Sequence, residues 1–423
     1  MRPVQMFRAM LLLSTLFLLF LYSSLHKEVL VHIQSRPRGP LGQDSPQSAK
    51  VTKSFSIKQN TALSRHPAIL NVSVSASFRS SVPENGAYWN RLLHSGLRRL
   101  DKREEPLGHE APWHRCRETN QEFLETNVPD VASYPLLFRN FLQGMKCRSP
   151  PLLIDQPAKC KEAKGSNATF LLFAIKSTPA NFERRQAVRD TWGREQLHEG
   201  RLRVRTVFLL GAPSMDDPDL GLLLAFEAKH YGDILQADFH ESLFNLTLKM
   251  NTFLRWALLR CPRVSFVFSG DDDVIVNTQA LLSYLESLDP SKATRLYVGQ
   301  VIKTASPLRD PKSKYFIPLS YYDGRYPVYV GGGGFLISGA LLLPLYSACS
   351  AIPLFPIDDV YIGMCFSALQ VSPEDHAGFR TFDIREKDRD NLCAYKSLIL
   401  VHRRSPQQVK KIWRGIQSPL LTC

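Results

Sequence analysis

Hydrophobic and polar positions fall into two alternating kinds of stretch over the second half of the chain. Residues 170–175, 204–210, 234–239 and 264–268 are short, predominantly apolar runs. They have the length of strands, and 170–175 has no polar position at all, the pattern of a strand covered on both sides. Between them, residues 184–192, 218–229 and 246–259 mix apolar and polar positions and read as helices. Alternating strands and helices predict βαβ units and an α/β fold with a mainly parallel central sheet. Ligands of such sheets bind beyond the carboxyl ends of the strands. The segment after Phe268 is therefore the first place to look for a site.

The amino-terminal part is patterned differently. Arg2 and Arg8 precede an apolar run at 9–25, about 17 residues and near the lower limit for a spanning helix. No small-x-small cleavage site follows, so the run predicts a retained signal anchor rather than a cleaved signal. The preceding basic residues keep residues 1–8 cytosolic. Residues 26–115 are rich in Ser, Pro, Lys and Arg, which predicts a partly disordered lumenal stem, with an ordered island at Tyr88, Trp89 and Asn90. Residues 116–423 make up the expected main folded domain with an N-terminal extension.

Composition changes this picture little. In 423 residues, 44% hydrophobic and 22% charged content is ordinary for a globular protein. It excludes wholesale disorder and a multi-span membrane protein. A net charge of +14 permits anionic partners. A nucleic-acid partner is not expected, because it explains neither the anchor nor the acidic cluster described below. All eight cysteines follow the anchor without a CxxC pair, which favours disulfides over a zinc site. Sequons at Asn71, Asn167 and Asn245 predict glycosylation.

Asp271, Asp272 and Asp273 follow the fourth apolar run directly. Three adjacent carboxylates repel one another unless a cation neutralises them. Hard oxygen ligands suit Mg²⁺ or Mn²⁺, which complete their shells with water and substrate phosphates. Asp358 and Asp359 form a second acidic pair. Asp358 suits a helix N-cap, and Asp359 in the first turn suits a general base. Gly331 to Gly334 allow either a close backbone approach to a ligand or a simple turn. His402 ends the apolar run 398–401.

Taken together, RRQAVRDTWG (184–193), FNLTLK (244–249), GDDDV (270–274), GGGGFL (331–336) and IDDV (357–360) resemble the β1,3-glycosyltransferase superfamily of the fringe and β3-galactosyltransferase type. The four glycines and IDDV are similar to its N-acetylglucosaminyl branch, as are YWN (88–90), LIDQP (153–157) and GFRTFD (378–383). Gln300 departs from the pattern, which has Asp after Gly299, and Cys349 is additional.

The resemblance implies a GT-A type nucleotide-sugar transferase fold in a single-pass type II Golgi membrane protein. It implies metal-dependent, inverting transfer of GlcNAc from UDP-GlcNAc to the 3-OH of terminal galactose on lactosamine-type glycans. Asp273 would be the first metal ligand, Asp271 a second direct or water-mediated one, and His402 would complete the shell. Asp359, with Asp358 beside it, would be catalytic. Lys176, Arg185, Arg189 and Asp272 would support the donor, and Gly332, Gly333 and Gly334 would form a substrate loop.

Two alternatives remain open in the sequence. One is UDP-galactose transfer on the same scaffold; the other is a catalytically weak lumenal sugar-binding partner. Homodimerisation and association with related transferases are also open. Connectivity cannot be deduced from spacing. Cys116–Cys147 and Cys160–Cys261 would each pin a segment to the core. Cys365–Cys393 would brace the region after the base, leaving Cys349 and Cys423.

Overall fold

Four parallel strands form the centre of the fold, and each is one of the apolar runs. The computed structural model describes residues 67–102, 113, 116, 124–161, 169–199, 202–213 and 217–423. The first strands in chain order are β1 (Leu152–Ile154), β2 (Thr169–Lys176), β3 (Gln196–His198), β4 (Leu202–Ala212), β5 (Ile234–His240), β6 (Phe266–Asp271) and β7 (Val274–Val276). They are followed by β8 (Tyr297–Gly299), β9 (Val301–Ile302), β10 (Tyr329–Val330), β11 (Gly334–Ser338), β12 (Glu374–Asp375), β13 (Phe379–Arg380) and β14 (Leu400–His402). The main sheet runs β1-β5-β4-β2-β6-β11-β8-β12, with β3 on β4. Pairing is parallel across β5-β4-β2-β6 and antiparallel where β11 joins β6 and β8.

Strand β2 shows why the central runs are continuous. Leu171, Phe173 and Ile175 enter one core and Leu172 and Ala174 the other, and all five are fully buried. Alternate side chains point to opposite faces, so a strand packed on both faces is apolar at successive positions. The buried polar residues Thr206 and Gln236 of β4 and β5 donate to the carbonyls of Gly193 and Gly211. The helices Phe182–Asp190, Leu220–Tyr231 and Leu246–Arg260 follow β2, β4 and β5 as the crossover connections. A three-stranded sheet, β13-β14-β7, stands beside the end of β6.

The stretch 67–102, read from sequence as stem, packs into the core. Trp89 is fully buried in the helix Tyr88–Asp101. Its indole N–H donates to the carbonyls of Pro353 and Leu354 at 3.2 and 3.1 Å. Its ring lies edge-on to Tyr322 and Phe355. The polar appearance of this segment belongs to the outer face of an amphipathic helix. Among the described residues no helix is long and apolar enough to cross a membrane. Segments 1–8 and 9–25, the stem up to residue 66 and Asn167 lie outside the described residues.

Disulfides join Cys116–Cys147, Cys160–Cys261 and Cys393–Cys423. The expected Cys365–Cys393 pair is not formed. Cys365 is buried in the helix Asp358–Ala368 and faces Cys349 of the helix Leu342–Ala351, both as thiols, with their sulfurs 3.4 Å apart. Cys393 instead holds the C-terminus. Non-reducing peptide mapping is expected to recover these three links, with two thiols reacting only after denaturation. A crosslinked 365–393 peptide would contradict this arrangement.

Asn245 also departs from expectation. It is buried, its amide nitrogen donates to the carbonyl of His240 at 2.8 Å, and the Thr247 hydroxyl is buried against the Phe355 carbonyl. A glycan needs that amide nitrogen exposed, so the folded chain does not present this sequon. Asn71 is exposed.

Candidate active site

Strand pairing builds one half of the site. β6 ends at Asp271, the chain turns through Asp272 and Asp273, and β7 then pairs antiparallel with β14 so that His402 stands opposite Val274. This register brings Asp271, Asp273 and His402 together, with one ligand atom from each inside a 4.8 Å span. His402 Nε2 lies 3.1 Å from Asp273 Oδ1 and 3.9 Å from Asp271 Oδ2. On the far side of the ring, Nδ1 lies 2.8 Å from the carbonyl of Thr381. A carbonyl only accepts, so Nδ1 carries a proton. Burial works against a charged ring, but Asp273, the Thr381 carbonyl and Asp271 outweigh it and raise the His402 pKa. Loss of the Nε2 proton turns that nitrogen's lone pair towards the carboxylates.

Asp273 Oδ1 is buried and, despite its proximity to His402, lacks a partner at hydrogen-bond angles. An orphaned buried carboxylate oxygen, a second carboxylate and an imidazole lone pair make a donor set that fits a divalent cation. Burial pushes Asp271 up, assisted by Asp358 and Asp273 and opposed by Lys176 and His402. Burial acts the same way on Asp273, but His402 and Arg184 outweigh it and hold that group below the usual carboxylate range.

The other half stands at the start of the helix Asp358–Ala368. Ile357 is its N-cap, so Asp358 is already helical and does not cap it. Asp358 instead pairs with Lys176 Nζ at 3.0 Å. The same ammonium reaches Asp271 at 3.1 Å and donates to the Gly332 carbonyl at 3.0 Å. Burial works against this charge, but Asp271 and Asp358 outweigh it and raise the Lys176 pKa.

Asp359 Oδ2 accepts from the Gly332 N–H at 3.0 Å and Oδ1 accepts from its neighbour Val360 at 2.8 Å. Burial, reinforced by the charge of Asp358, pushes Asp359 up to about 7 despite Lys176 and these two N–H groups. The adjacent carboxylates thus differ: Asp358 is ion-paired, and Asp359 is poised to exchange a proton near neutral pH.

Lys176, Asp271, Gly332, Asp359 and His402 share one cleft of about 600 Å³. Its remaining lining includes Leu246, Ile302, Tyr315, Tyr326, Tyr329 and Phe382. A cleft with charged groups and tyrosine rings suits a polar ligand that also carries ring faces.

Four expected site residues lie elsewhere. Arg185 is fully buried and ion-paired to Glu227 at 2.7 Å, with its remaining N–H groups donating to Ser177 and to the carbonyls of Thr178 and Pro179. Arg189 pairs with Glu227 and Asp233 and stacks on Tyr231. Both are engaged in the helix–sheet interface, and all five N–H groups of Arg185 are taken. Asp272 is buried beneath the cleft, accepting from Ser177 and Asn181. Gly334 is a sheet residue paired with Gly270, and a side chain there would meet Leu400 and Phe268. The cleft-lining glycines are Gly331, Gly332 and Gly333.

Arg185→Leu is expected to cost roughly 3–5 kcal/mol, as breaking a buried pair does. The lower end is expected, because Arg189 still pairs with Glu227. Thermal melts and kinetics separate this from a donor role: a raised donor KM at unchanged Tm would restore that role.

Sequence reasoning did not single out Arg184, Thr381 or Arg403 as site residues. Arg184 pairs with Asp273 at 3.1 Å, and Thr381 and Arg403 line the cleft. The only signal for Arg403 was its place beside His402.

The architecture is of a mixed α/β class, with parallel strands at the centre of its main sheet and an acidic cleft at their carboxyl edge. A family model described as galactosyltransferase matches residues 183–377. The chain is 51% identical over 300 residues to N-acetyllactosaminide beta-1,3-N-acetylglucosaminyltransferase 2 of Mus musculus, covering 70% of this chain and 74% of that protein. It is 45% identical over 355 residues to the Homo sapiens protein of the same name, covering 81% and 87%. N-acetyllactosaminide beta-1,3-N-acetylglucosaminyltransferase 3 of Homo sapiens is 42% identical over 303 residues, covering 70% and 79%. The chain therefore belongs to the galactosyltransferase family.

Proposed function

We propose that the protein is a metal-dependent, inverting β-1,3-N-acetylglucosaminyltransferase of GT-A type, moving GlcNAc from UDP-GlcNAc to the 3-OH of a terminal galactose on lactosamine-type glycans. The donor and acceptor rest on the names of the relatives. The observation that carries the chemistry is Asp359 poised near 7 in the same cleft as the Asp271, Asp273 and His402 cluster.

Asp273, Asp271 and His402 would hold Mn²⁺ or Mg²⁺, which when bound neutralises charge on the departing diphosphate. Asp359 accepts the proton of the acceptor hydroxyl. The freed oxygen attacks the anomeric carbon from the face opposite UDP, so an α-linked donor yields a β-linked product. Lys176 links the two halves by holding Asp271 and Asp358 together. Gly332 orients Asp359 through its N–H. The protein would be anchored in the Golgi membrane by residues 9–25, with its catalytic unit in the lumen.

The test is incubation of the folded unit with UDP-GlcNAc or UDP-galactose, a lactosamine acceptor and Mn²⁺, followed by linkage analysis. A β1,3-linked GlcNAc product is expected. Transfer from UDP-galactose alone would replace the donor assignment, and no transfer from either would refute the enzyme reading.

A further inference from the structure

Thr381 touches both halves of the cleft and has no part in the chemistry above. It is 4% exposed and follows β13. Its hydroxyl accepts from the Gly333 N–H at 2.9 Å, its carbonyl accepts from His402 Nδ1 at 2.8 Å, and its own N–H donates to Gln300 Oε1 at 2.7 Å. Gln300 grips the glycine loop as well, its backbone carbonyl accepting from the Gly331 N–H at 3.0 Å.

The loop lies directly on Thr381. A Cβ on Gly331 would stand 2.5 Å from the threonine methyl, and one on Gly333 would stand 2.5 Å from its hydroxyl. Gly332, between them, orients Asp359 through its N–H and receives Lys176 on its carbonyl.

We infer that Thr381, held by Gln300, is a positioning residue that sets the Asp359 loop and the His402 ring in register across the cleft. The inference rests on the roles of Asp359 and His402 proposed above. The hydroxyl fixes the loop that orients the base. The carbonyl fixes the tautomer and direction of the imidazole, as partners behind metal-binding histidines do. Gln300 supplies an acceptor without charge. A carboxylate at that position would add another negative group beside a cleft lined by Asp271, Asp358 and Asp359, with Asp273 clustered on Asp271.

Thr381→Val keeps the shape and carbonyl but removes the hydroxyl acceptor. It is expected to lower kcat about 10–100-fold, the range for such supporting partners, with little change in donor KM. Thr381→Ser is expected to restore kcat. Gln300→Ala frees the Thr381 N–H, and its Mn²⁺ dissociation constant, read by electron paramagnetic resonance of unbound Mn²⁺, is expected to rise about tenfold or more.

Melting temperatures measured in parallel separate positioning from folding. Equal losses in the Val and Ser variants that follow Tm would overturn the inference. So would wild-type kcat in Thr381→Val together with wild-type Mn²⁺ affinity in Gln300→Ala. If the wild type transfers no GlcNAc yet the Mn²⁺ affinities separate as stated, the inference about His402 stands and the functional reading fails. If the wild type binds no Mn²⁺, that half of the inference falls with it.

Discussion

Asp359→Asn is expected to lower kcat by about 10²–10⁴-fold, the contribution of a general base, while UDP-GlcNAc binds nearly as in the wild type. The amide keeps the size of the carboxylate, and its oxygen can still accept from Gly332. What it lacks is a basic oxygen for the acceptor hydroxyl. The pH profile gives a second reading of the same residue. A base works unprotonated, so wild-type kcat should rise with pH and reach its plateau above about 7, where Asp359 titrates. Burial is the main cause of that raised value and Asp358 the next. Asp358→Asn removes the second cause, so the rising limb should move to lower pH while turnover persists. Near-normal kcat in folded Asp359→Asn would eliminate the mechanism.

Asp273→Asn comes second in expected effect. It removes an anionic oxygen from the three-residue cluster and leaves His402 facing a neutral amide. Loss of a direct ligand should exceed the roughly 10–100-fold that outer partners cost in metal affinity. Transfer should collapse at low Mn²⁺ and recover only partly at high Mn²⁺. Excess chelator should abolish wild-type transfer. It should also lower Tm where metal raised it, since a ligand that binds only the native state stabilises it. The variant should show a weaker Tm response to Mn²⁺. Full transfer in excess chelator would remove the metal from the mechanism.

The parts legible in the sequence are those whose physics is local. β2, β4, β5 and β6 appear as apolar runs because both faces of each are covered. The helix Thr278–Glu286 likewise carries its start signal locally, the Asn277 side chain capping it by accepting from Ala280 N–H. Strands such as β10, β12 and β13, two residues each, exist only through pairing with distant partners and leave no periodic trace.

The site divides in the same way. Asp271, Asp273 and the Asp358–Asp359 pair were visible because adjacent carboxylates are costly without a reason. Arg185 and Arg189 misled because their partners, Glu227 and Asp233, lie across the β4 crossover. Thr381 was invisible as a site residue because one of its two contacts with the cleft is made by its backbone carbonyl, which has no residue identity. Of the expected cysteine pairs Cys116–Cys147 and Cys160–Cys261 form, whereas helix packing sets Cys365 against Cys349 and leaves Cys393 to the C-terminal Cys423.

The burial of Trp89 bears on where the chain can be cut without loss of the folded unit. Its indole grips Pro353 and Leu354, only a few residues before Asp358. A cut ahead of residue 67 would leave a unit whose base helix keeps its footing. A fragment starting at residue 116 would carry every charged group of the cleft, but it would expose Phe355 and Tyr322 where Trp89 had covered them. Such a fragment should be insoluble or inactive, so the length of chain open to cleavage ends well short of the expected stem boundary at 115.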